Sequence, residues 1–153
     1  MIFDFVEGFL SHNKPLKGEF LCVDVGAKKS GVAISILNRK VAVPSGVLYS
    51  KTEEELAFLI LQSLKEKECS YIVLGFPFAW EEGASAKRIF RIAKMLEEEG
   101  IFPLLYDENR TSTKVKQTAF NERGKMTKNE LQNYDAQVAS LILANLLDEI
   151  SFF

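Results

Sequence analysis

The stretch LCVDVGAKKSGVAIS, Leu21 to Ser35, carries a single acid, Asp24, inside an otherwise apolar run. Val, Leu and Ile followed by turn residues predict a strand over about Phe20 to Val25. A carboxylate embedded there loses hydration that a proton, a hydrogen-bonded partner or a metal ion must replace. Gly26 lets the backbone turn closely past that carboxylate, and Lys28 and Lys29 bring positive charge beside it. Gly31 to Leu37 reads as a second strand, so the hairpin offers an acid at a place suited to handling phosphate or a metal.

Outward from this hairpin, the turn Asn38 to Lys40 leads to a third strand over Val41 to Tyr49, with Pro44 favouring a sheet edge. Thr52 and Glu55 form a capping-box pattern for a helix whose apolar face is Leu56, Leu59, Ile60 and Leu64. Tyr71 to Phe76 is apolar enough to be a strand buried on both faces. A loop from Pro77 to Gly83 precedes a helix closed by Gly100, and Ile101 to Tyr106 reads as a fifth strand ending at Asp107 and Glu108. Thr111 to Phe120 suits a helix, and a last helix, capped by Thr127 or Asn129, runs to about Ile150. The expectation is an α/β fold: a mixed five-stranded sheet flanked by helices, with an antiparallel meander first and crossovers afterwards. Ligands of such sheets gather at the carboxyl ends of the central strands.

At the amino terminus, Ile2, Phe3, Phe5, Val6, Phe9 and Leu10 suit a short amphipathic helix, and Ser11 to Lys17 a linker. The expected division is an extension over 1–17 and one domain over 18–153. The chain has 153 residues, 47% of them hydrophobic, enough for a substantial core. Its net charge of −2 gives no global basic field for nucleic acid, though a local basic surface can serve. No apolar stretch approaches the roughly 20 residues that span a bilayer. The start lacks the basic region and small-residue cleavage site of a signal peptide, so a cytoplasmic location is expected. Cys22 and Cys69 read as small core residues of a reducing compartment, and His12 as a surface residue.

A second anomaly is Asp135, within the apolar helix NYDAQVASLILANLLDEI. Its ordinary alternative is a capping or salt-bridging acid. Glu108, beside Asp107 at the mouth of strand five, is the third candidate; taken alone it also suits the start of a helix. Together, a strand, a strand end and a late helix supply three carboxylates to one sheet edge. That is the donor set of a site for hard cations, Mg²⁺ or Mn²⁺, and with no Cys/His cluster zinc is disfavoured. Two such ions activate water and stabilise the leaving oxygen in phosphodiester hydrolysis.

Four blocks then carry a resemblance: VDVGAKKSGVAIS at 23–35, VLGFP at 73–77, DENRTST at 107–113 and KNELQNYDAQVASLIL at 128–143. In this order they resemble the YqgF (RuvX) family of ribonuclease H-like proteins, related to the resolvase RuvC, over roughly residues 18–150. The resemblance implies a ribonuclease H-like sheet, with Asp24, Glu108 and Asp135 as both catalytic and metal-ligating residues. It implies a nuclease that matures the precursor of 16S ribosomal RNA, or a resolvase of branched DNA. This chain departs from the family pattern in Asn109 for the usual arginine (Arg110 follows), Phe76 for a leucine, and Ala27 for a common threonine.

Phosphate contacts are expected from Lys28, Lys29, Arg110, Lys114 and Lys125, the last three in a basic segment between Glu108 and Lys128. A second basic group, Lys87, Arg88, Arg91 and Lys94, reads rather as a solvated helix face. Trp80 either stacks on a base or plugs its loop onto the core. The expected partners are structured RNA, branched DNA or ribosomal particles, and no membrane, with the protein a monomer or homodimer. Two other functions compete: a non-catalytic ribosome-assembly module, and ATP binding of the actin and sugar-kinase type. The second finds only one domain here and no second D-x-G loop.

Overall fold

A computed structural model of the chain describes residues 1–108 and 128–153. The elements are α1 (Val6–Asn13), β1 (Glu19–Asp24), β2 (Lys29–Ile36), β3 (Val41–Tyr49), α2 (Glu53–Glu66), β4 (Cys69–Phe76), a 3₁₀ turn (Phe78–Trp80), α3 (Ala84–Glu98), β5 (Leu104–Asp107) and α4 (Lys128–Ile150). The expected helix over 111–120 and loop over 121–127 lie outside the described residues.

The strands form one five-stranded sheet in the order β3-β2-β1-β4-β5. β1 pairs antiparallel with β2, and β2 with β3, while β4 runs parallel to both β1 and β5. Pro44 sits on the edge strand β3 opposite Ala33, beside a register shift at Val32/Ala33, the kind of position where a residue without an N–H is tolerated. The Thr52 cap forms as expected: its hydroxyl accepts the Glu55 amide at 3.1 Å.

Strand alternation sorts side chains onto the two faces. Leu21, Val23, Ile72, Leu74 and Leu105 face a core closed by α2 and α3. Phe20, Cys22, Val73, Leu104 and Tyr106 face a second core closed by α1 and α4. Burying each large side chain contributes about 1.5–3 kcal/mol, so both helix layers are held chiefly by apolar area.

Several boundaries differ from the sequence expectation: β2 begins at Lys29 rather than Gly31 and β4 at Cys69 rather than Tyr71, and three further differences have a visible cause. β5 begins at Leu104 rather than Ile101, because the Ile101 amide is spent capping α3 on the Leu96 carbonyl at 3.0 Å, and Pro103 has no N–H to give. The amino-terminal helix begins at Val6 because Phe3 is extended along β5: its amide donates to Pro103 at 2.9 Å and its carbonyl accepts from Leu105 at 2.7 Å. Phe3, Val6, Phe9 and Leu10 are buried in the α4-side core. The turn after β2 contains Leu37, Asn38 and Arg39, all left-handed at φ 55°, 62° and 65°. Glu19 holds it: the Asn38 and Arg39 amides donate to its carboxylate at 3.0 and 2.8 Å, and the Ser35 hydroxyl at 2.7 Å.

Candidate active site

Asp24 is the last residue of β1, half-buried, in register with Gly31 of β2. It shares the parity of Phe20 and Cys22, so its side chain rises on the α4 face of the sheet. By the same alternation Leu104, Tyr106 and then Glu108 face α4, whereas Asp107 follows Leu105 to the opposite face. Gly75, on β4 between them, lies on the α4 face too. A Cβ built on Gly75 would stand 3.0 Å from the Ile142 methyl, 3.8 Å from the Glu108 Cβ and 3.9 Å from Asp24 Oδ1. The absent side chain at Gly75 therefore leaves a cradle bordered by Asp24, at the end of β1, and Glu108, just beyond β5. Both acids are engaged with neighbouring groups.

Gly31 does the corresponding work on the other side of β1. A Cβ there would collide with the carbonyl of Asp135, so only glycine lets α4 come down onto β2 at this point. The seating places Asp135 over Lys29, and Lys29 Nζ meets Asp135 Oδ2 at 2.9 Å, with side chains 29% and 20% exposed. The salt-bridging alternative noted for Asp135 is thus the arrangement observed. Burial also pushes the Cys22 thiol pKa upward, and the negative charge of Asp24 adds to that effect.

Among the described residues no three His, Cys, Asp or Glu side chains are gathered as a metal-ligand cluster. The donor type, carboxylate oxygen, is that of a hard divalent cation's ligands: Asp24 Oδ1 and the Glu108 Cβ border Gly75, while the Asp135 carboxylate is matched by the Lys29 ammonium. Lys28 is exposed, while Arg110, Lys114 and Lys125 lie outside the described residues. Trp80 is 72% exposed and does not plug its loop onto the core. Arg91 is committed to Glu53, donating through Nε and Nη2 at 2.8 and 2.6 Å, and Lys94 lies 5.4 Å from the centre of the Phe90 ring. That helix face behaves as a solvated one.

Sequence reasoning missed Gly31 and Gly75 as spacers, and Lys29 as the partner of Asp135. The signal for the glycines was present, since a glycine inside a strand pattern marks close approach of another backbone or side chain.

A meander of three antiparallel strands, two parallel crossover strands and a helix seated on the carboxylate end define a ribonuclease H-like α/β protein. The family model described as "RuvX: Holliday junction resolvase" matches residues 18–149, and the chain belongs to that family. A relative from Rickettsia bellii (strain OSU 85-389), named "Putative pre-16S rRNA nuclease", is 26% identical over 141 residues, 91% of this chain and 89% of that protein. One of the same name from Chloroflexus aurantiacus (strain ATCC 29366 / DSM 635 / J-10-fl) is 31% identical over 131 residues, 84% of this chain and 85% of its own. Among solved structures, the Thermoplasma acidophilum Pelota protein aligns with a TM-score of 0.47 at 15% identity, over 96% of this chain and 44% of that one. Among the described residues no helix is long and apolar enough to cross a membrane.

Proposed function

We propose that this protein is a divalent-cation-dependent endonuclease that hydrolyses phosphodiester bonds in structured RNA, the precursor of 16S ribosomal RNA foremost. The observation that carries the reading is the approach of Asp24 and Glu108 to one glycine cradle at the carboxyl ends of β1, β4 and β5. The names of the relatives in Rickettsia and Chloroflexus support the substrate class. Asp24, Glu108 and Asp135 would hold Mg²⁺ or Mn²⁺. When bound, the cation supplies water activation and charge stabilisation for the leaving oxygen. The chain's own work is to orient the three carboxylates and to neutralise backbone phosphates with Lys28, Arg110, Lys114 and Lys125. Cys22 and Cys69, both free thiols, accord with a reducing cytoplasm.

The family description favours a second substrate, branched DNA, with the same site and the same chemistry. The test is cleavage of a precursor RNA and of a four-way DNA junction, each with Mg²⁺, Mn²⁺ or EDTA, by the parent and Asp24→Asn. Cation-dependent cleavage lost in the folded variant supports the reading, and the preferred substrate decides between RNA and DNA. Undiminished cleavage by Asp24→Asn sinks the site assignment. If the folded Asp24→Asn, Asp135→Asn double variant still captures ribosome-assembly particles, docking on them is separable from hydrolysis.

A further inference from the structure

We infer that the furrow between α2 and α3, on the side of the sheet away from α4, is a docking groove for a basic amphipathic helix of another protein. The inference is independent of the nuclease reading above, because no residue of the furrow belongs to that candidate site.

The groove follows from helical spacing. α2 turns Leu56, Ala57, Ile60 and Leu64 into the core, which leaves Glu54, Phe58, Leu61 and Lys65 as a second line, each a turn from the next. On α3 the facing line is Arg91, Met95 and Glu98. Near the start of α2 the helices are tied together, Arg91 donating to the Glu53 carboxylate at 2.8 and 2.6 Å. Beyond that tie they leave a furrow of about 660 Å³ whose apolar lining is Ala57, Leu61, Met95 and Phe58. Leu61 and Met95 are only partly covered by the core, and Phe58 is 65% exposed.

Charge selects what the furrow accepts. Its rim carries Glu54, Glu98 and Glu99 against a single lysine, Lys65. Among the described residues none of these three acids is ion-paired. Glu98 and Glu99 also stand at the carboxyl end of α3, the negative end of the helix dipole, where acids are unfavourable; the last turn holds no basic residue. A local rule broken in this way is characteristic of functional positions. The negative rim repels the phosphates of nucleic acid and of anionic membranes alike. A second copy seated face to face would set the same acids against each other. A helix with an apolar stripe flanked by Lys and Arg answers both parts of the groove: its stripe enters beside Phe58 while its cations meet the rim. The occupant leaves the α4 face uncovered.

The test is fluorescence anisotropy with a labelled synthetic helix that carries a leucine stripe flanked by lysines. Two control peptides keep its pattern, one with glutamates for the lysines and one with serines for the leucines. The proteins are the full chain, Phe58→Ser and the Glu98→Lys, Glu99→Lys double variant, each checked for folding by circular dichroism. The lysine–leucine helix should bind the parent and shift the Met95 methyl resonance, which is assigned by its loss in Met95→Leu. Phe58→Ser and the double variant should each bind it roughly tenfold more weakly, and the parent should bind both control peptides more weakly by a similar factor. No binding by the parent, an unmoved Met95 resonance, undiminished binding by either variant, or equal binding of either control peptide overturns the inference. So does self-association of the parent that Phe58→Ser abolishes, because the occupant would then be a second copy of this chain.

Discussion

Gly31 of β2 and Asp135 of α4 meet backbone to backbone, and a Cβ on the glycine would occupy the place of the aspartate's carbonyl. Neither backbone can yield cheaply, because one lies in a paired strand and the other in a long helix. Gly31→Ala should therefore lift α4 off the sheet and lower stability by about 1–3 kcal/mol. Gly75→Ala meets only the terminal methyl of Ile142, at 3.0 Å, which a rotamer change relieves, so its cost should be the smaller of the two. Urea unfolding of both variants measures the difference. A Gly75→Ala protein less stable than Gly31→Ala contradicts this account of how the helix is seated.

Glu19 should prove a stability residue despite its surface location. Its carboxylate accepts from the Ser35 hydroxyl and from the amides of Asn38 and Arg39, across a turn with three consecutive left-handed residues. Hydrogen bonds to a charged acceptor are the stronger kind, and left-handed backbone is costly for Leu37 and Arg39. Glu19→Ala is expected to cost about 2–3 kcal/mol in denaturant melts. Adding Leu37→Gly should recover part of that loss, because glycine adopts the turn conformation freely. No recovery in the double variant would show that Glu19 acts elsewhere than on the turn.

The strands were legible because their patterns are local: alternation and turn residues marked all five, and Thr52 announced α2. Glu108 is singled out over its neighbour Asp107 by the end of strand five and the family resemblance, and the alternation of Leu105 and Tyr106 between the two layers agrees with that choice. What could not be read was pairing across distance. The contact of Lys29 with Asp135 joins positions far apart in the chain, and nothing near either residue signals the other. The use of Phe3 as an added strand beside β5 was hidden similarly, since its apolar spacing with Val6 and Phe9 equally suits a helix.

Trp80, the chain's single tryptophan, is largely exposed in the turn that follows β4 at the carboxylate end of the sheet. On the nuclease reading proposed above, an exposed indole at this end of the sheet would stack on an unpaired base, a contact worth about 1–3 kcal/mol per base. Single-stranded or looped RNA should quench its fluorescence, and Trp80→Ala should weaken binding by roughly 5- to 100-fold with little change in stability. Unquenched emission at saturating RNA, with affinity retained in Trp80→Ala, would remove the residue from the interface.

Cys69 gives the fold a defined alkaline weakness. Its half-buried thiol donates to the Phe20 carbonyl at 3.6 Å. Burial first, and the nearby Glu19 charge second, raise its pKa from 9.0 to about 11, against a smaller opposing effect of Lys67. The folded protein thus holds this proton more tightly than the unfolded chain does. The stabilisation is complete below about pH 9 and is lost as pH rises through about 11. Cys22 follows the same direction through burial and the Asp24 charge. Urea unfolding between pH 8 and 11 should show the parent losing stability more steeply than Cys69→Ala. Alkylation of the native thiols at pH 8 should be slow because little thiolate is present. Parallel pH profiles for parent and variant, or rapid alkylation of Cys69 at pH 8, would contradict the shielded thiol described here.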